Sequence, residues 1–315
     1  MSNGATVVIN TDLSLPLFRR GKVRDVYEVG DNLLIVSTDR ISAFDVVLPC
    51  GIPDKGRVLN QLSAFWFKKT ARILPNHLIK VIDSEDTLQA VIARAGSPTQ
   101  SRRGEDSPIT LGKSLIGRSM LVARAERIPV ECVVRGYLSG SAWAEYKETG
   151  RVGDIRLPSG MKESQELSPP IFTPTTKSDT GHDRPLTTKD KKELGVDKIL
   201  GELEQKSLRI YSYARDYAKR RGIIIADTKF EFGFINGHIA LIDELLTQDS
   251  SRFWDASQYE VGHSQPSFDK QPVRDWLVDS GWDKEPPAPM LPPEVIERTS
   301  NRYREVYSRL TGGVL

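Results

Sequence analysis

The sequence of 315 residues contains only two cysteines, Cys50 and Cys132, and little excess charge of either sign. Two cysteines without metal-type spacing exclude a disulfide framework or a cysteine-based zinc site, and they indicate a reducing compartment. The formal net charge of +2 is small for this length, so neither a nucleic acid nor a membrane surface is expected as a partner. Small anionic ligands fit this composition, because they need only local positive charge.

Long apolar runs are also missing from the sequence. No run reaches the roughly eighteen residues of a membrane-spanning helix, and the N-terminal residues lack the pattern of a signal peptide. These features predict a soluble, cytoplasmic protein, either a monomer or a small homo-oligomer. The length predicts two domains, or one domain with a large elaboration.

The most informative stretch runs from residue 222 to residue 254. A buried strand is predicted from residue 223 onward, and it continues into an alternation of phenylalanines with Asp227, Lys229 and Glu231. Asn236 and Gly237 then favour a hairpin turn, because both residues tolerate positive φ. The return strand is predicted over residues 239–246 and carries a second acidic pair, Asp243 and Glu244.

The register of this hairpin decides which charged groups meet. A two-residue turn would pair Glu231 with Ile242 and direct Asp243 to the phenylalanine face. A three-residue loop with Gly237 as a bulge would place Lys229, Glu231 and Asp243 on one face, and we expect this second register. Two carboxylates and a lysine suit Mg²⁺ that bridges phosphate oxygens. The alternative is a solvated face with an ordinary cross-strand salt bridge.

Near the N-terminus, residues 17–38 predict two strands joined by a turn at residues 30–32. Gly21 and Lys22 lie just before the first strand. Backbone amides beside such a glycine can approach phosphate oxygens, and Lys22 or Arg24 can supply positive charge. An ordinary surface turn is the alternative interpretation.

A polar loop is predicted over residues 37–45, between two apolar strands. It contains Asp39, Arg40, Ser42 and Asp45. Loops on a rigid scaffold often carry binding groups, so a ligand-binding loop is one interpretation. A structural turn with an internal Asp–Arg pair is the other.

The middle of the chain predicts an anion pocket. Residues 96–114 lose apolar periodicity, which predicts a flexible loop or a domain boundary. Two strands follow, over about residues 119–126 and 130–137, and the second ends near Arg135. A helix then begins after a Ser–Gly–Ser sequence that ends at Ser141. The guanidinium charge, the free backbone amides and the helix dipole would together favour a bound anion. A role of Ser141 as the helix N-cap is compatible with this interpretation.

Residues 151–190 are rich in Pro, Ser, Thr and Gly and predict a long loop. The middle of this loop carries four reactive side chains, which we interpret as part of an active-site flap: Lys177, Asp179, His182 and Asp183. A second polar loop, over residues 247–254, contains Arg252, whose guanidinium could meet an anion.

Taken together, seven motifs in order resemble the SAICAR synthetase (phosphoribosylaminoimidazole-succinocarboxamide synthase) family of purine biosynthesis. They extend from about residue 18 to the last predicted helix, and the insertion at residues 151–190 is similar to that of the longer monofunctional type. The motifs are GKVRDVYEV, STDRISAFDVVLP, PVECVVRGYLSGSAWAEY, IFTPTTKSDTGHD, ADTKFEFGF, LIDELLTQDSSRFW and QPSFDKQPVRDWL.

The resemblance implies an α+β fold. An N-terminal antiparallel sheet lobe would resemble the nucleotide lobe of kinases, and a larger ATP-grasp-like domain would follow, with a cleft between them. The expected division is a nucleotide-binding lobe over residues 1–115, a substrate and metal domain over 116–285, and a C-terminal linker and helix over 286–315 packed on the body.

The activity that the resemblance implies is an ATP-dependent carboxylate–amine ligase. It would join L-aspartate to carboxyaminoimidazole ribonucleotide (CAIR) through an acyl phosphate, giving SAICAR, ADP and phosphate, with Mg²⁺ as cofactor. CAIR, L-aspartate and ATP are then the small-molecule partners. A kinase-like phosphotransferase is one alternative, disfavoured because HRD and DFG motifs are missing. A non-catalytic nucleotide-binding module is the other, disfavoured by the retained lysines and acids.

The resemblance also assigns roles to individual residues. Catalytic roles fall to Lys229, Lys177 and Asp227, although a structural role of Asp227 is left open. ATP binding is expected from Gly21, Lys22, Arg24, Glu231 and Asp243. The metal is expected on Glu231 and Asp243. Substrate binding is expected from Asp39, Ser42, Arg135, Ser141, His182, Asp183 and Arg252.

Overall fold

The computed structural model describes residues 6–94, 108–177 and 184–315. The chain forms two compact units that alternate along the sequence. Unit 1 comprises Met1–Lys68, His77–Arg124 and Asp269–Leu315, and unit 2 comprises Lys69–Asn76 and Ala125–Phe268. None of the helices in the described residues has the length and apolar character that a bilayer-spanning helix requires.

The first part of the chain contains seven strands and three helices among its described residues. In order they are β1 (Leu17–Arg20), β2 (Arg24–Val29), β3 (Asn32–Ser37), β4 (Arg40–Ala43), β5 (Val46–Gly51), α1 (Lys55–Thr70), β6 (Leu78–Val81), α2 (Glu85–Arg94), α3 (Pro108–Leu115) and β7 (Ser119–Ala123).

The remainder of the chain contains the central strands of unit 2 and the C-terminal helices. In order its elements are β8 (Glu126–Tyr137), α4 (Ser141–Thr149), β9 (Arg151–Val152), β10 (Ile155–Arg156), β11 (Glu166–Phe172), β12 (Thr175–Thr176), α5 (Thr188–Glu193), α6 (Leu200–Lys219), β13 (Ile223–Ile235), β14 (His238–Ile242), β15 (Ser251–Asp255), α7 (Gln271–Asp279) and α8 (Pro293–Thr311).

Unit 1 is built on an antiparallel sheet with strand order β1-β2-β3-β7-β6. Its core contains Tyr27, Leu34, Val36 and Leu121, all at most 2% exposed, together with residues of α2. Because β7 pairs with β3 and β6, unit 1 extends to Arg124, beyond the predicted domain limit at residue 115. The helices α7 and α8 pack on residues of β4 and β5, so the C-terminal segment is also part of this unit.

Unit 2 is built on a second antiparallel sheet with the order β11-β8-β13-β14, in which β12 also pairs with β8 and β15 with β13. Helix α6 covers one face of this sheet. The Tyr211 hydroxyl of α6 donates to the Ile225 carbonyl at 2.7 Å. A Cβ at Gly136 would lie 1.8 Å from that hydroxyl oxygen, so this approach of helix and strand requires a glycine.

The hairpin register differs from the prediction. Glu231 pairs with Ile242 and Ile235 with His238, so the turn contains only Asn236 and Gly237, and the predicted three-residue bulge is wrong. Both turn residues have positive φ, 51° and 76°, as a two-residue turn requires. The return strand ends at Ile242 rather than at residue 246, because Asp243 also has positive φ, 69°, and leaves the strand.

Several segments predicted as loops contain regular structure. Helix α3 overlaps the end of the loop predicted over residues 96–114, and β4 lies within the loop predicted over 37–45. The region 151–190 contains β9 to β12 and the start of α5, and β15 replaces the end of the loop predicted over 247–254. Each of these strands pairs with a neighbour on its sheet, so pairing partners rather than local composition determine its structure.

Candidate active site

One face of the β8–β13 pair carries most of the charged residues of unit 2 that were singled out in the sequence. Glu131 lies opposite Glu231, and Arg135 lies opposite Asp227. Because side chains alternate along a strand, these four groups and Lys229 share one face, which we call the polar face. The opposite face is apolar and lies against α6.

The first charged group on the polar face is the acid–lysine cluster, formed by Glu131, Lys177, Lys229 and Glu231. The Lys229 ammonium donates to Glu131 Oε1 at 2.7 Å. Lys177, which follows β12, donates to Glu231 Oε1, and its Nζ lies 3.7 Å from Glu131 Oε1. Two carboxylates and two ammonium groups therefore form one connected network.

The electrostatics of the acid–lysine cluster favour the charged forms of the lysines. Glu131 and Glu231 are buried and directly opposite, a like-charge arrangement that would be destabilising on its own. Burial would lower the pKa of Lys229, but the carboxylates of Glu131, Glu231 and Glu244 outweigh it and raise the pKa. Lys229 is thus a permanent cation at neutral pH, suited to neutralising a carboxylate or phosphoryl group.

The second charged group is the arginine–aspartate cluster, formed by Arg135, Asp227 and Arg252. Asp227 lies opposite Arg135 on β8 and opposite Arg252 on β15. Its Oδ2 is 3.1 Å from Arg252 Nη1 and 3.9 Å from Arg135 Nη1. One carboxylate therefore faces two guanidinium groups and leaves the cluster with net positive charge.

Further contacts fix the two guanidinium groups. Arg135 Nε donates to Thr173 Oγ1 at 2.9 Å, and Arg252 Nη1 donates to Ser139 Oγ at 3.1 Å. Burial lowers the pKa of Arg135, and the charge of Asp227 opposes that effect. A guanidinium remains charged under such conditions, so the cluster can attract an anion.

The N-terminus of α4 lies beside Arg252. Gly140 is the N-cap, with a φ of 58°, and Ser141 is the first helical residue and exposed, so the N-cap role considered for Ser141 is wrong. A Cβ at Gly140 would lie 2.2–2.5 Å from the Arg252 guanidinium. The glycine therefore permits the guanidinium to pack against the start of the helix, where free amides also favour an anion.

A cavity of about 480 Å³ lies next to the arginine–aspartate cluster within unit 2. Arg135, Glu145 and Lys191 contribute charged groups to its wall, and Phe172 and Leu186 contribute apolar ones. The volume lies within the range of small-molecule sites.

The predicted ATP-binding residues of unit 1 lie in the turn between β1 and β2. Lys22 is exposed and its Nζ is 2.7 Å from Asp45 Oδ1. Gly21 donates its amide to the Arg24 carbonyl at 2.7 Å, and its own carbonyl accepts from Arg40. The turn is ordered by its own hydrogen bonds, and its role in ATP binding stays a prediction.

The Asp39 carboxylate points into unit 1 and not toward a ligand, contrary to the predicted role in substrate binding. It is fully buried, accepts from the amides of Val8 and Gly56, and forms an ion pair with Arg118 at 2.9 Å. Such a carboxylate has its acceptor positions used within unit 1. Ser42 lies half-buried on β4, and its role in substrate binding stays a prediction.

The alternative of an internal Asp–Arg pair in the 37–45 segment needs a similar revision. Arg40 forms its ion pair with Asp25 of β2 at 2.7 Å, while Asp39 pairs with Arg118. The pairing is internal to unit 1 but joins distant segments rather than neighbours in the loop.

The structure does not test the roles predicted for Asp243, His182 and Asp183. Asp243 is half-buried where the chain leaves β14. Asp179, His182 and Asp183 lie outside the described residues. In the part of the chain that the structure describes, no group of three or more His, Cys, Asp and Glu side chains is arranged to hold a metal ion.

Glu131 is the residue of this site that the sequence analysis missed. Its signal was present, because alternation backward along the strand from Arg135 places residues 133 and 131 on the same face. An acidic side chain inside an otherwise apolar strand was the observation that could have identified it.

Comparisons with known proteins identify the family of this chain. The family model described as SAICAR synthetase matches residues 17–289. The chain belongs to the SAICAR synthetase family. A phosphoribosylaminoimidazole-succinocarboxamide synthase from Thermodesulfovibrio yellowstonii is 48% identical over 307 residues, which cover 97% of this chain and 99% of the relative.

Solved structures of the SAICAR synthetase family share the fold. A SAICAR synthase from Saccharomyces cerevisiae complexed with SAICAR superposes with a TM-score of 0.85 at 42% identity, covering 98% of this chain and 99% of the other. A type-2 SAICAR synthetase in complex with ADP gives 0.63 at 27% identity, covering 94% and 98%. The chain is an enzyme, an ATP-dependent ligase of purine biosynthesis, and the two alternatives considered from the sequence are set aside.

Proposed function

We propose that the polar face of unit 2 joins L-aspartate to the carboxylate of CAIR through an acyl phosphate. The observation that carries the proposal is the presence of two clusters of different chemistry on one face. The arginine–aspartate cluster suits the 5′-phosphate of the ribonucleotide, and the acid–lysine cluster suits its reacting carboxylate.

In the first step a carboxylate oxygen of CAIR attacks the γ-phosphorus of ATP, and the bond from that phosphorus to the ADP oxygen breaks. The aspartate amine then attacks the acyl carbon. A C–N bond forms, the C–O bond to phosphate breaks, and the amine loses a proton. Lys229 and Lys177 neutralise the carboxylate and the transferred phosphoryl group, which repel each other before they react.

The ribonucleotide phosphate is assigned to Arg135, Arg252 and the start of α4 at Ser141. The two guanidinium groups are held by Asp227, Thr173 and Ser139, so their orientation is set before the ligand arrives. Asp227 therefore has a positioning role in this proposal, in place of the catalytic role expected from the sequence. The SAICAR complex of the yeast relative supports a ribonucleotide site in this fold.

Mg²⁺ is assigned to Glu231 and Asp243. The chemistry of the donors fits, because Mg²⁺ commonly binds one or two protein carboxylates together with phosphate oxygens and water. When bound, the ion would neutralise charge on the nucleotide phosphates. Glu231 and Asp243 would supply anionic ligands to the ion. The Lys177 ammonium group balances the charge of Glu231 within the acid–lysine cluster.

The remaining assignments complete the proposal. ATP phosphates are assigned to the turn of Gly21, Lys22 and Arg24, and the ADP complex of a relative supports nucleotide use by the fold. Both cysteines are buried free thiols, which fits a reducing, cytoplasmic setting. CAIR, L-aspartate and ATP are the partners, and the enzyme works as a monomer or small homo-oligomer.

A coupled assay of ADP release tests this function. Purified protein should release ADP only when CAIR, L-aspartate and Mg²⁺-ATP are all present, and SAICAR should form in equal amount. Glu231→Gln should lower kcat by at least about 100-fold, because a charged ligand of the reacting centre is lost. Glu126→Gln, at an exposed position of β8, is the matched control. ADP release without aspartate would refute the ligase assignment.

A further inference from the structure

We infer that Glu131 is a positioning residue of the ligase reaction, which keeps Lys229 and Lys177 on the polar face when Glu231 takes up another cation. The inference rests on the proposed function of that face and adds a residue to it. In the acid–lysine cluster, Glu131 contacts both Lys229 and Lys177, and Glu231 contacts Lys177.

Glu131 is the more deeply placed of the two acids. Its side chain is 4% exposed and lies on β8, the strand between β11 and β13, where its backbone is held on both sides. Thr175 of β12 pairs with Glu131 directly, so the segment that carries Lys177 is attached at this residue. A carboxylate held in this way has little freedom to follow a ligand.

The two lysines reach Glu131 from different strands. Lys229 comes diagonally from β13 to 2.7 Å, and Lys177 from the end of β12 to 3.7 Å, both measured to Oε1. One carboxylate oxygen of Glu131 thus contacts both ammonium groups. Glu231 contacts Lys177 and lies opposite Glu131.

This arrangement has a consequence for ligand binding. If Glu231 binds a metal ion, the Lys177 ammonium loses that carboxylate, because a cation and an ammonium group compete for the same oxygen. The Glu131 carboxylate oxygen is already 3.7 Å from the Lys177 ammonium nitrogen. It can accept a hydrogen bond from that ammonium group without a change in the backbone. Both lysines then stay beside the reacting groups, with their donors free to turn toward a carboxylate or phosphoryl oxygen.

A merely structural role of Glu131 predicts a different behaviour. A buried acid that served only the fold would, when neutralised, lower the melting temperature and leave the folded enzyme's kinetics intact. A positioning role predicts an effect on kcat with small effects on the KM values, because the lysines act mainly after the substrates have bound.

The experiment compares Glu131→Gln and Glu131→Asp with Glu126→Gln as the control on the same strand. We expect Glu131→Gln to lower kcat on the order of 10- to 100-fold, with the KM values for CAIR, aspartate and ATP changed by less than about 3-fold. Glu131→Asp keeps the charge and should recover part of kcat. The control should behave like the wild type.

A double-mutant cycle tests whether Glu131 acts through a lysine. Glu131→Gln added to Lys229→Met should lower kcat by much less than it does alone, because the residue it positions is already absent. Full additivity would overturn the inference, and so would a wild-type kcat in Glu131→Gln or a rise in one KM alone. Failure of wild-type protein to couple ADP release to aspartate and CAIR would instead refute the proposed function.

A ligand-free crystal structure of Glu131→Gln gives a readout without turnover. We expect the Lys229 ammonium to move away from position 131, to beyond hydrogen-bond distance, while the backbone of β8 and β13 stays in register. An unchanged Lys229 in this variant would contradict the inference even if kcat fell.

Discussion

Lys177 hydrogen-bonds through its ammonium group to the carboxylate of Glu231, the residue predicted to bind metal. The pair is mostly buried, with side-chain exposures of 20% and 9%. Together with Glu131 and Lys229 it forms a network whose two positive and two negative charges cancel. The charged side chains of the site therefore balance one another, and a charged ligand must replace some of these ion pairs when it binds.

Metal binding should rearrange this pair. Crystals grown with ATP and Mg²⁺ should show an ion within about 2.0–2.2 Å of carboxylate oxygens of Glu231 and Asp243, the usual Mg²⁺–oxygen distance. Lys177 should then no longer donate to Glu231. An ion bound by neither residue would refute the assignment, and an ion on Glu231 alone would remove Asp243 from it.

The shape of the Arg135 side chain should matter as well as its charge. Arg135→Lys keeps the positive charge but loses the planar group that donates to Thr173 and faces Asp227. We expect the KM for CAIR to rise about 10-fold or more while the KM for ATP is unchanged. Steady-state kinetics with Arg127→Lys, on the same strand, provide the control. Equal losses for CAIR and ATP would place Arg135 outside the ribonucleotide site.

The position of the Arg252 side chain should require a glycine at residue 140. Gly140→Ala would introduce a Cβ 2.2–2.5 Å from the guanidinium and would strain a residue with a φ of 58°. Gly150→Ala is a control at the other end of α4, because its φ of 69° is also positive while no atom lies within 4 Å of the new Cβ.

Gly150→Ala should lose about 1 kcal/mol of unfolding free energy from its left-handed backbone conformation. Gly140→Ala should lose more, because its combination of φ 58° and ψ −131° is essentially restricted to glycine. Only Gly140→Ala should also raise the KM for CAIR, by about 10-fold, because it moves a phosphate ligand. Denaturant unfolding and kinetics measure the two effects. A normal KM in Gly140→Ala would show that Arg252 can move without loss of binding.

Cys132 should be chemically inert in the native protein. Burial, together with the charges of Glu131 and Glu231, raises the pKa of its thiol to about 12, and a hydrogen bond with Ser207 opposes this rise only in part. At pH 8 only on the order of 10⁻⁴ of the thiol is then ionised, and the thiolate is the reactive form. A thiol reagent should label neither cysteine at pH 8 and should label both after unfolding. Rapid labelling of one native thiol, located by mass spectrometry, would contradict this expectation.

Local sequence patterns predicted the features that depend on local interactions. The helix expected within residues 286–315 is observed from Pro293 to Thr311, because its apolar positions repeat at helical spacing and Pro293 and Gly312 mark its ends. The Asn236–Gly237 turn was also predicted correctly as a turn. The predicted three-residue register is wrong, because a two-residue turn with positive φ at both positions matches the twist of the paired strands.

Features that depend on distant partners were harder to predict. The strand at Ser251–Asp255 looks like a polar loop by composition and is a strand because it pairs with residues 223–228. The burial of Asp39 depends on Arg118, which lies 79 positions later in the sequence. The role of Glu131 depends on lysines of two other segments. The residues adjacent in sequence do not indicate any of these distant partners.

Strand β13 also determines the length of ligand that the polar face can hold. Asp227 and Glu231 are four residues apart on a continuous, regularly paired segment, which corresponds to about 14 Å at roughly 3.4 Å per residue. Neither cluster can approach the other without breaking the pairing with β8. A ligand that bridges both clusters must span this fixed separation between its phosphate and its reacting group, so analogues shortened by removal of the sugar should lose one contact entirely rather than weaken both.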